Sequence, residues 1–192
     1  MKLSRNFYLR SGIEVAKDLI GKKLVHNSAE GSTAGIIVEV EAYIGKIDAA
    51  AHAYKGKTKR IEIIFGDGGF AYIYLIYGKN ICMNVVANAK EIPDAILIRA
   101  LQPVEGIKLM QERRQKNNLR ELCNGPGKLT QAMAITKNHY GTNLCGNEIF
   151  IENVEDFQPE IIATPRINID YAGDAANFLW RFIQKGCSYI SK

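Results

Sequence analysis

The sequence is short of what would tie it to a membrane, a secretory route or a metal. No run in its 192 residues approaches 18 consecutive apolar positions, and Met1–Arg10 is charged where an export signal would be apolar. These absences predict a soluble protein of the cytoplasm. The four cysteines, at 82, 123, 145 and 187, form no C-x-x-C pair, which argues against a zinc ribbon. Without an export signal they are expected as free thiols. The three histidines, His26, His52 and His139, are scattered, with no H-E-x-x-H or comparable metal spacing. Any hydrolysis is therefore expected to run without a metal or other cofactor. Linkers, repeats and low-complexity tracts are missing too, and 192 residues suit one domain.

What is present is ordinary in amount. Apolar content of 47% against 23% charged residues leaves room for a core of useful size. The balance is mildly basic, 25 Lys and Arg against 20 Asp and Glu, for a net charge of +5. That permits a nucleic-acid partner without establishing one.

Periodicity predicts the elements. Ser11 and Glu14 read as a capping box opening a helix, with Ile13, Ala16 and Ile20 as its apolar stripe and Gly21 as its stop. Lys23–His26 reads as a short strand. In "AGIIVEVEAYIG", strict alternation puts Ile36, Val38, Val40 and Ala42 on one face of a strand and Ile37, Glu39, Glu41 and Tyr43 on the other. A helical turn is expected at Asp48–Ala53, then a basic loop carrying Lys55, Lys57, Lys59 and Arg60. "FGDGG" is a turn into a hairpin of Phe70–Tyr77 and Ile81–Ala87. Ala95–Pro103 reads as a strand with Arg99 inside it. "EGIKLMQERRQKN" reads as a helix, and another begins near Pro126. "EIFIEN" and "PRINIDYAG" read as short strands, and "DAANFLWRFI" as either helical turn or strand. Strands arrive in adjacent pairs without βαβ alternation. The expected class is α+β, one domain with a curved, mostly antiparallel sheet, surrounding helices and a protruding β-hairpin.

Four features bear on chemistry. Glu39 and Glu41 are either solvated residues of an exposed strand face or a pair in which one acts as general base in a cleft. Tyr72, Tyr74 and Tyr77 either follow the strand preference of tyrosine or form a surface on which bases stack. Arg99, flanked by apolar residues, is either a structural ion-pair partner or an anion ligand. "NGPGKL" starts a helix with Lys128 in its first turn, a geometry that can meet phosphate.

Taken in order, "VEVEAYIG", "AAHAY", "YIYLIYGKNICMN", "ILIRALQPVEG", "RELCNGPGKLTQAMAI" and "PRINIDYAG" resemble the 3-methyladenine (alkyladenine or methylpurine) DNA glycosylase family. The resemblance runs from about Leu3 to Ile190 and looks like a minimal, bacterial-type member. It implies Glu41 as the base that activates water, with Arg99 beside that water and the DNA backbone. It implies Tyr43, His52 and Tyr74 around a flipped base, and Asn84 as a gate against normal guanine. Tyr77 matches the residue that enters the duplex through the minor groove. Tyr72 matches no role and is assigned to the core or to support of the pocket wall. One stretch departs: where the family pattern has Arg-Asn and then Met-Phe, this chain reads "KRIEIIFGDGG", with Ile61 and Ile64 at the changed positions. The role of the Lys59–Phe65 loop is thereby left open.

The implied activity is hydrolysis of the N-glycosidic bond of alkylated or deaminated purines in double-stranded DNA, leaving an abasic site for base excision repair. The expected enzyme is a monofunctional monomer acting at the nucleoid, with neither cofactor nor metal. Lys55–Arg60, Arg113–Arg120 and Lys128 are candidate backbone contacts, Lys59, Arg60 and Lys128 chief among them. The alternative is a non-catalytic module on the same fold that binds damaged DNA or RNA.

Overall fold

Helix α1 (Arg5–Tyr8) precedes helix α2 (Gly12–Leu19), which begins where the sequence signals it. The Ser11 side chain accepts the Glu14 N–H, while the Glu14 carboxylate takes the Ser11 hydroxyl instead of a backbone N–H. Gly12, Val15, Ala16 and Leu19 are its buried residues. Gly21 follows at φ 85°, the left-handed conformation that ends the run. The computed structural model describes residues 1–76, 78 and 80–191.

Strands β1 (Lys23–Ser28), β2 (Gly31–Ile44), β3 (Ala71–Ile76), β4 (Asn80–Ala87) and β5 (Asp94–Glu105) come next, followed by helices α3 (Ile107–Arg114), α4 (Leu119–Leu122) and α5 (Pro126–Ala132). The chain closes with β6 (Ile149–Glu152), β7 (Ile161–Thr164) and β8 (Arg181–Gln184). Among the described residues the sheet runs β3-β4-β5-β2-β1-β6, with β8 also on β2 and β7 on β8. Every pairing is antiparallel. This is the α+β class expected, with the sheet curled into a half-barrel. The hairpin of β3 and β4 lies at one edge, and the tip residue Tyr77 lies outside the described residues.

The long strand β2 sets the site, and it departs from strict alternation. Ile37 faces Leu101, Glu39 faces Ala100 and Val40 faces Ile98, so Val38 and Arg99 are each an extra residue in its strand. Such paired bulges turn side chains to new directions. Ile37 therefore joins Val40 and Ala42 in the main core, while Ile36 and Val38 pack separately with Ala100. The bulges fall where β2 stops pairing with β1 and begins pairing with β8.

The main core lies between one face of the sheet and the helices. Val15, Ala16 and Leu19 of α2, Met110 of α3 and Leu129 of α5 meet Val40, Met83, Val85, Ile96 and Ile98. The alternating residues of β2, β3, β4 and β5 point the other way, and they build the site.

Two further expectations are corrected. Asp48–Ala53 is no helical turn; a 3-10 turn spans His52–Lys55, and the basic loop closes in a 3-10 helix at Lys59–Phe65. The buried Asp48 carboxylate accepts the N–H groups of Ile44 and Ala50 and so holds the chain out of helix there. "PRINIDYAG" is no strand: residues 165–169 are irregular and Asp170–Asn177 is 3-10. The buried Arg166 competes for the backbone, taking the carbonyls of Ala42 and Ala175.

Candidate active site

A cleft of about 590 Å³ opens on the sheet face turned from the helices. Tyr43 of β2, Tyr72 and Tyr74 of β3, Cys82 and Asn84 of β4 and Arg99 of β5 all line it. Tyr72 pairs with Asn84 and Tyr74 with Cys82 across the hairpin, and side chains two residues apart on one strand point the same way, so these four share a face. His52 and Arg60 form one rim, Lys128 at the start of α5 another, and Ile167 a third.

Beneath the cleft lies a floor of charge. Glu39 and Glu41 are both fully buried, which rules out the solvated reading of the pair. Their partners distinguish them. Glu39 Oε1 accepts Arg99 Nε at 3.0 Å, Arg181 Nε at 2.7 Å and Ser191 Oγ at 2.7 Å. Its Oε2 accepts the Ser191 backbone N–H. A carboxylate offers about four acceptor directions, and four donors already hold Glu39, three on Oε1 and one on Oε2. Glu41 accepts three bonds: Ile167 N–H on Oε1 at 2.8 Å, and Tyr43 O–H at 2.8 Å and Arg99 Nη1 at 3.3 Å on Oε2. By the same count Glu41 keeps about one direction free, on Oε1.

Arg99 thus pairs with both carboxylates, and its place among apolar neighbours is explained by the bulge that turns it into the cleft. A second buried pair supports the floor: Arg166 Nη2 meets Asp48 Oδ1 at 2.8 Å, both side chains fully buried. The Arg166 guanidinium lies 4.7 Å from the centroid of the Tyr43 ring. It also anchors the 165–169 segment whose Ile167 N–H binds Glu41. Burial, then the neighbouring Glu41, push the Tyr43 phenol far up, so it stays a donor to that carboxylate.

The wall is aromatic. Tyr72 and Tyr74 stack at 5.4 Å with 26° between planes, and His52 stands edge-on to Tyr74 at 4.7 Å. His52 Nδ1 and the Tyr72 hydroxyl are hydrogen-bonded at 2.8 Å, so Tyr72, fully buried, backs both rings. Although part of the His52 ring is exposed, desolvation of its packed side and then Arg60 lower its pKa. Asn84 is buried and donates Nδ2 to the Tyr72 carbonyl at 3.2 Å across the hairpin. Burial raises the Cys82 thiol to about 11, which keeps it protonated and no nucleophile. The divergent residues Ile61 and Ile64 pack behind Tyr72 with Phe65 and Ala53, so this loop supports the wall.

The expected backbone contacts fall in two groups. Lys59, Arg60 and Lys128 are exposed, Arg60 and Lys128 line the cleft, and Lys128 Nζ is held by Asn124 at 2.9 Å. Arg113 and Arg114 are engaged internally, with Glu30, the Ala132 carbonyl, the Leu122 carbonyl and Gln131. They tie α3 to its neighbours. Tyr77 lies outside the described residues.

Sequence reading missed Arg166, Asp48, Arg181 and Ser191. Arg166, Arg181 and Ser191 are brought in from distant segments, and Arg166 was hidden in what looked like a strand. It also missed one grouping of metal-ligand type, His26, His139 and Glu148, whose candidate atoms lie within 4.8 Å of one another. There His139 Nδ1 accepts the Thr136 N–H at 2.8 Å. The neutral ring then carries its proton on Nε2, the atom 3.8 Å from Glu148 Oε1, and offers no lone pair there to an ion.

A buried carboxylate with one free acceptor direction, beneath a cleft of tyrosines, suits water activation beside a flat, electron-poor ring. The family model described as methylpurine-DNA glycosylase matches residues 6–188. Relatives carrying the provisional name 3-methyladenine DNA glycosylase include one from Alkaliphilus oremlandii, 49% identical over the full length of both chains. One from Clostridium acetobutylicum is 48% identical, covering all of this chain and 98% of the relative. Another from Clostridium novyi is 46% identical over the same shares. No helix among the described residues is long and apolar enough to cross a membrane. With the match spanning nearly every residue and relatives almost half identical throughout, the chain belongs to the methylpurine-DNA glycosylase family.

Proposed function

We propose that the protein binds a damaged purine nucleotide flipped from duplex DNA and hydrolyses its N-glycosidic bond with a water activated by Glu41. The free acceptor direction on Glu41 carries this reading. The carboxylate's other acceptor directions are held by Tyr43, Arg99 and the Ile167 N–H, so its position is fixed before substrate arrives. A water bound at the remaining direction would give its proton to Glu41 as its oxygen attacks C1′. The bond from C1′ to the purine nitrogen breaks, and the base leaves with the bonding pair. The carboxylate also opposes the positive charge that develops on the sugar. Glu39, held by four donors from Arg99, Arg181 and Ser191, is read as a structural anchor.

The rings serve recognition. An alkylated purine carrying a positive charge stacks well on electron-rich faces, and Tyr43 and Tyr74 line the cleft where it would lie. Flipping costs a few kcal/mol, which stacking helps to offset. Asn84, held by the Tyr72 carbonyl, is a fixed obstacle suited to rejecting a base with an extra exocyclic group. Among the described residues the cleft has one lysine in its lining, Lys128, whose ammonium is bound to Asn124. This supports a monofunctional enzyme whose product is an abasic site. Lys59, Arg60 and Lys128 would meet phosphates.

The test is release of free bases from methylated duplex DNA by the wild type and by Glu41→Gln, with the strands then checked for breaks. Release by the wild type only, from unbroken strands, is expected. Release by Glu41→Gln at the wild-type rate sinks the assignment of the base.

A further inference from the structure

The floor contains a residue that touches neither the cleft nor Glu41 yet bonds to both Glu39 and Arg99. Ser191 is 6% exposed. Its hydroxyl donates to Glu39 Oε1 at 2.7 Å and accepts from Arg99 Nη2 at 3.2 Å and Nε at 3.4 Å. Its backbone N–H goes to Glu39 Oε2. Arg181, from β8, completes the charge balance on Glu39. The guanidinium of Arg99 therefore has each of its three nitrogens assigned: Nε to Glu39, Nη2 to Ser191 and Nη1 to Glu41.

We infer that Ser191 is a positioning residue for the glycosidic hydrolysis: with Glu39 it fixes the rotation of Arg99 so that Nη1 alone is offered to Glu41. The inference rests on the reading of Glu41 as the base. The physical argument is one of competition. Glu39 and Glu41 stand two residues apart on the same strand, and Arg99 lies between them as the unpaired residue of a bulge. A guanidinium presents five N–H donors in a rigid fork and can satisfy either carboxylate with two of them. If both terminal nitrogens turned to Glu41, they would cover the acceptor direction that the water needs. The Ser191 hydroxyl prevents this by accepting from Nη2, while its own proton is spent on Glu39. A hydroxyl can do both at once; a methyl group does neither. The contacts of Glu39 and Ser191 with Nε and Nη2 are then the device that leaves Arg99 one nitrogen for Glu41.

The experiment is single-turnover excision of hypoxanthine from duplex DNA, with the dissociation constant for the same duplex measured in parallel. Ser191→Ala should slow excision by about 10- to 100-fold, the scale of a small misplacement of a reacting group, with binding unchanged. Ser191→Thr, which keeps the hydroxyl, should restore most of the rate. On an Arg99→Lys background, where no fork needs orienting, Ser191→Ala should add no further loss. Three results overturn the inference: a wild-type rate for Ser191→Ala, parallel loss of rate and binding, or an undiminished penalty on the Arg99→Lys background. Glu41→Gln is run alongside. Its inactivity with a normal Ser191→Ala rate removes only the positioning role, whereas an active Glu41→Gln removes the base assignment on which that role depends.

Discussion

The floor and the wall of the cleft are built on opposite terms. In the floor, every carboxylate oxygen of Glu39, Glu41 and Asp48 is bonded to a named donor, and most donors come from segments far away in sequence. In the wall, Tyr72, Tyr74 and His52 touch mainly through ring faces and edges, and two of the three come from one hairpin strand. A polar network tolerates little displacement, because an unpaired buried charge costs several kcal/mol. Stacked rings can slide over a fraction of an ångström at little cost. The floor is thus suited to hold a reacting group still, and the wall to accept bases of differing outline.

If that division is right, a floor substitution should cost rate or stability, and a wall substitution should cost affinity. The largest effect is expected for Glu41→Gln. Loss of a general base typically costs 10²–10⁴-fold, and Gln retains the size and some hydrogen bonds of Glu. Excision should fall by about that factor while damaged duplex still binds, as gel shift or anisotropy would show. Equal loss of binding would erase the distinction between floor and wall.

Next comes Asp48→Ala, which leaves the buried Arg166 without its anion. Removing one partner of a buried pair costs about 3–5 kcal/mol, to be read as a drop in the urea midpoint with an unchanged slope. The segment holding Ile167 against Glu41 should loosen as well, so excision should weaken even where the protein remains folded. A change under about 1 kcal/mol would mean that the Ala42 and Ala175 carbonyls, which Arg166 already holds, suffice for its charge.

The same contrast explains what could be read from the chain alone. The hairpin of the wall was legible: Tyr72 and Tyr74 share a face by the period of two, and Asn84 lies on the returning strand, though Cys82 between them was not singled out. So were α2 and α5, where Ser11 and Pro126 mark the starts. Half of the floor was not. Alternation cannot show that Val38 and Arg99 are bulged, because a bulge depends on what the neighbouring strand presents. Nor can it show that Asp48 would choose Arg166, 118 positions away, or that Ser191 would reach Glu39 across 152. Arg166 was misread for the same reason: "RINI" alternates like a strand, but its arginine is claimed by Asp48 and two carbonyls. Local pattern fixes which face a residue prefers, and long-range polar pairing decides what that face becomes.

On the wall, Tyr74→Leu should weaken binding of damaged duplex by about 1–3 kcal/mol, the usual worth of one base stacked on one ring. Tyr74→Phe should stay near wild type, because the face is kept. The saturating excision rate should move less than the dissociation constant. A rate loss that matched the Glu41→Gln effect would place Tyr74 with the chemistry and undo the comparison.

The smallest effect separates lesions by charge. Desolvation and then Arg60 lower the His52 pKa from the ordinary value of about 6.5. At neutral pH the imidazole is therefore uncharged and does not repel a cationic 7-methylpurine. As pH falls through that lowered pKa, His52 gains a proton, and the added positive charge opposes the cationic lesion but not neutral hypoxanthine. The ratio of 7-methylguanine to hypoxanthine excision should therefore drop on acidification, in single-turnover assays from pH 7.5 downward. Arg60→Ala removes a charge that disfavours protonation, so it should move the drop to higher pH. His52→Asn, which cannot titrate, should flatten the ratio. A drop that persisted unchanged in His52→Asn would assign it to a group other than His52 and remove the imidazole from lesion selection.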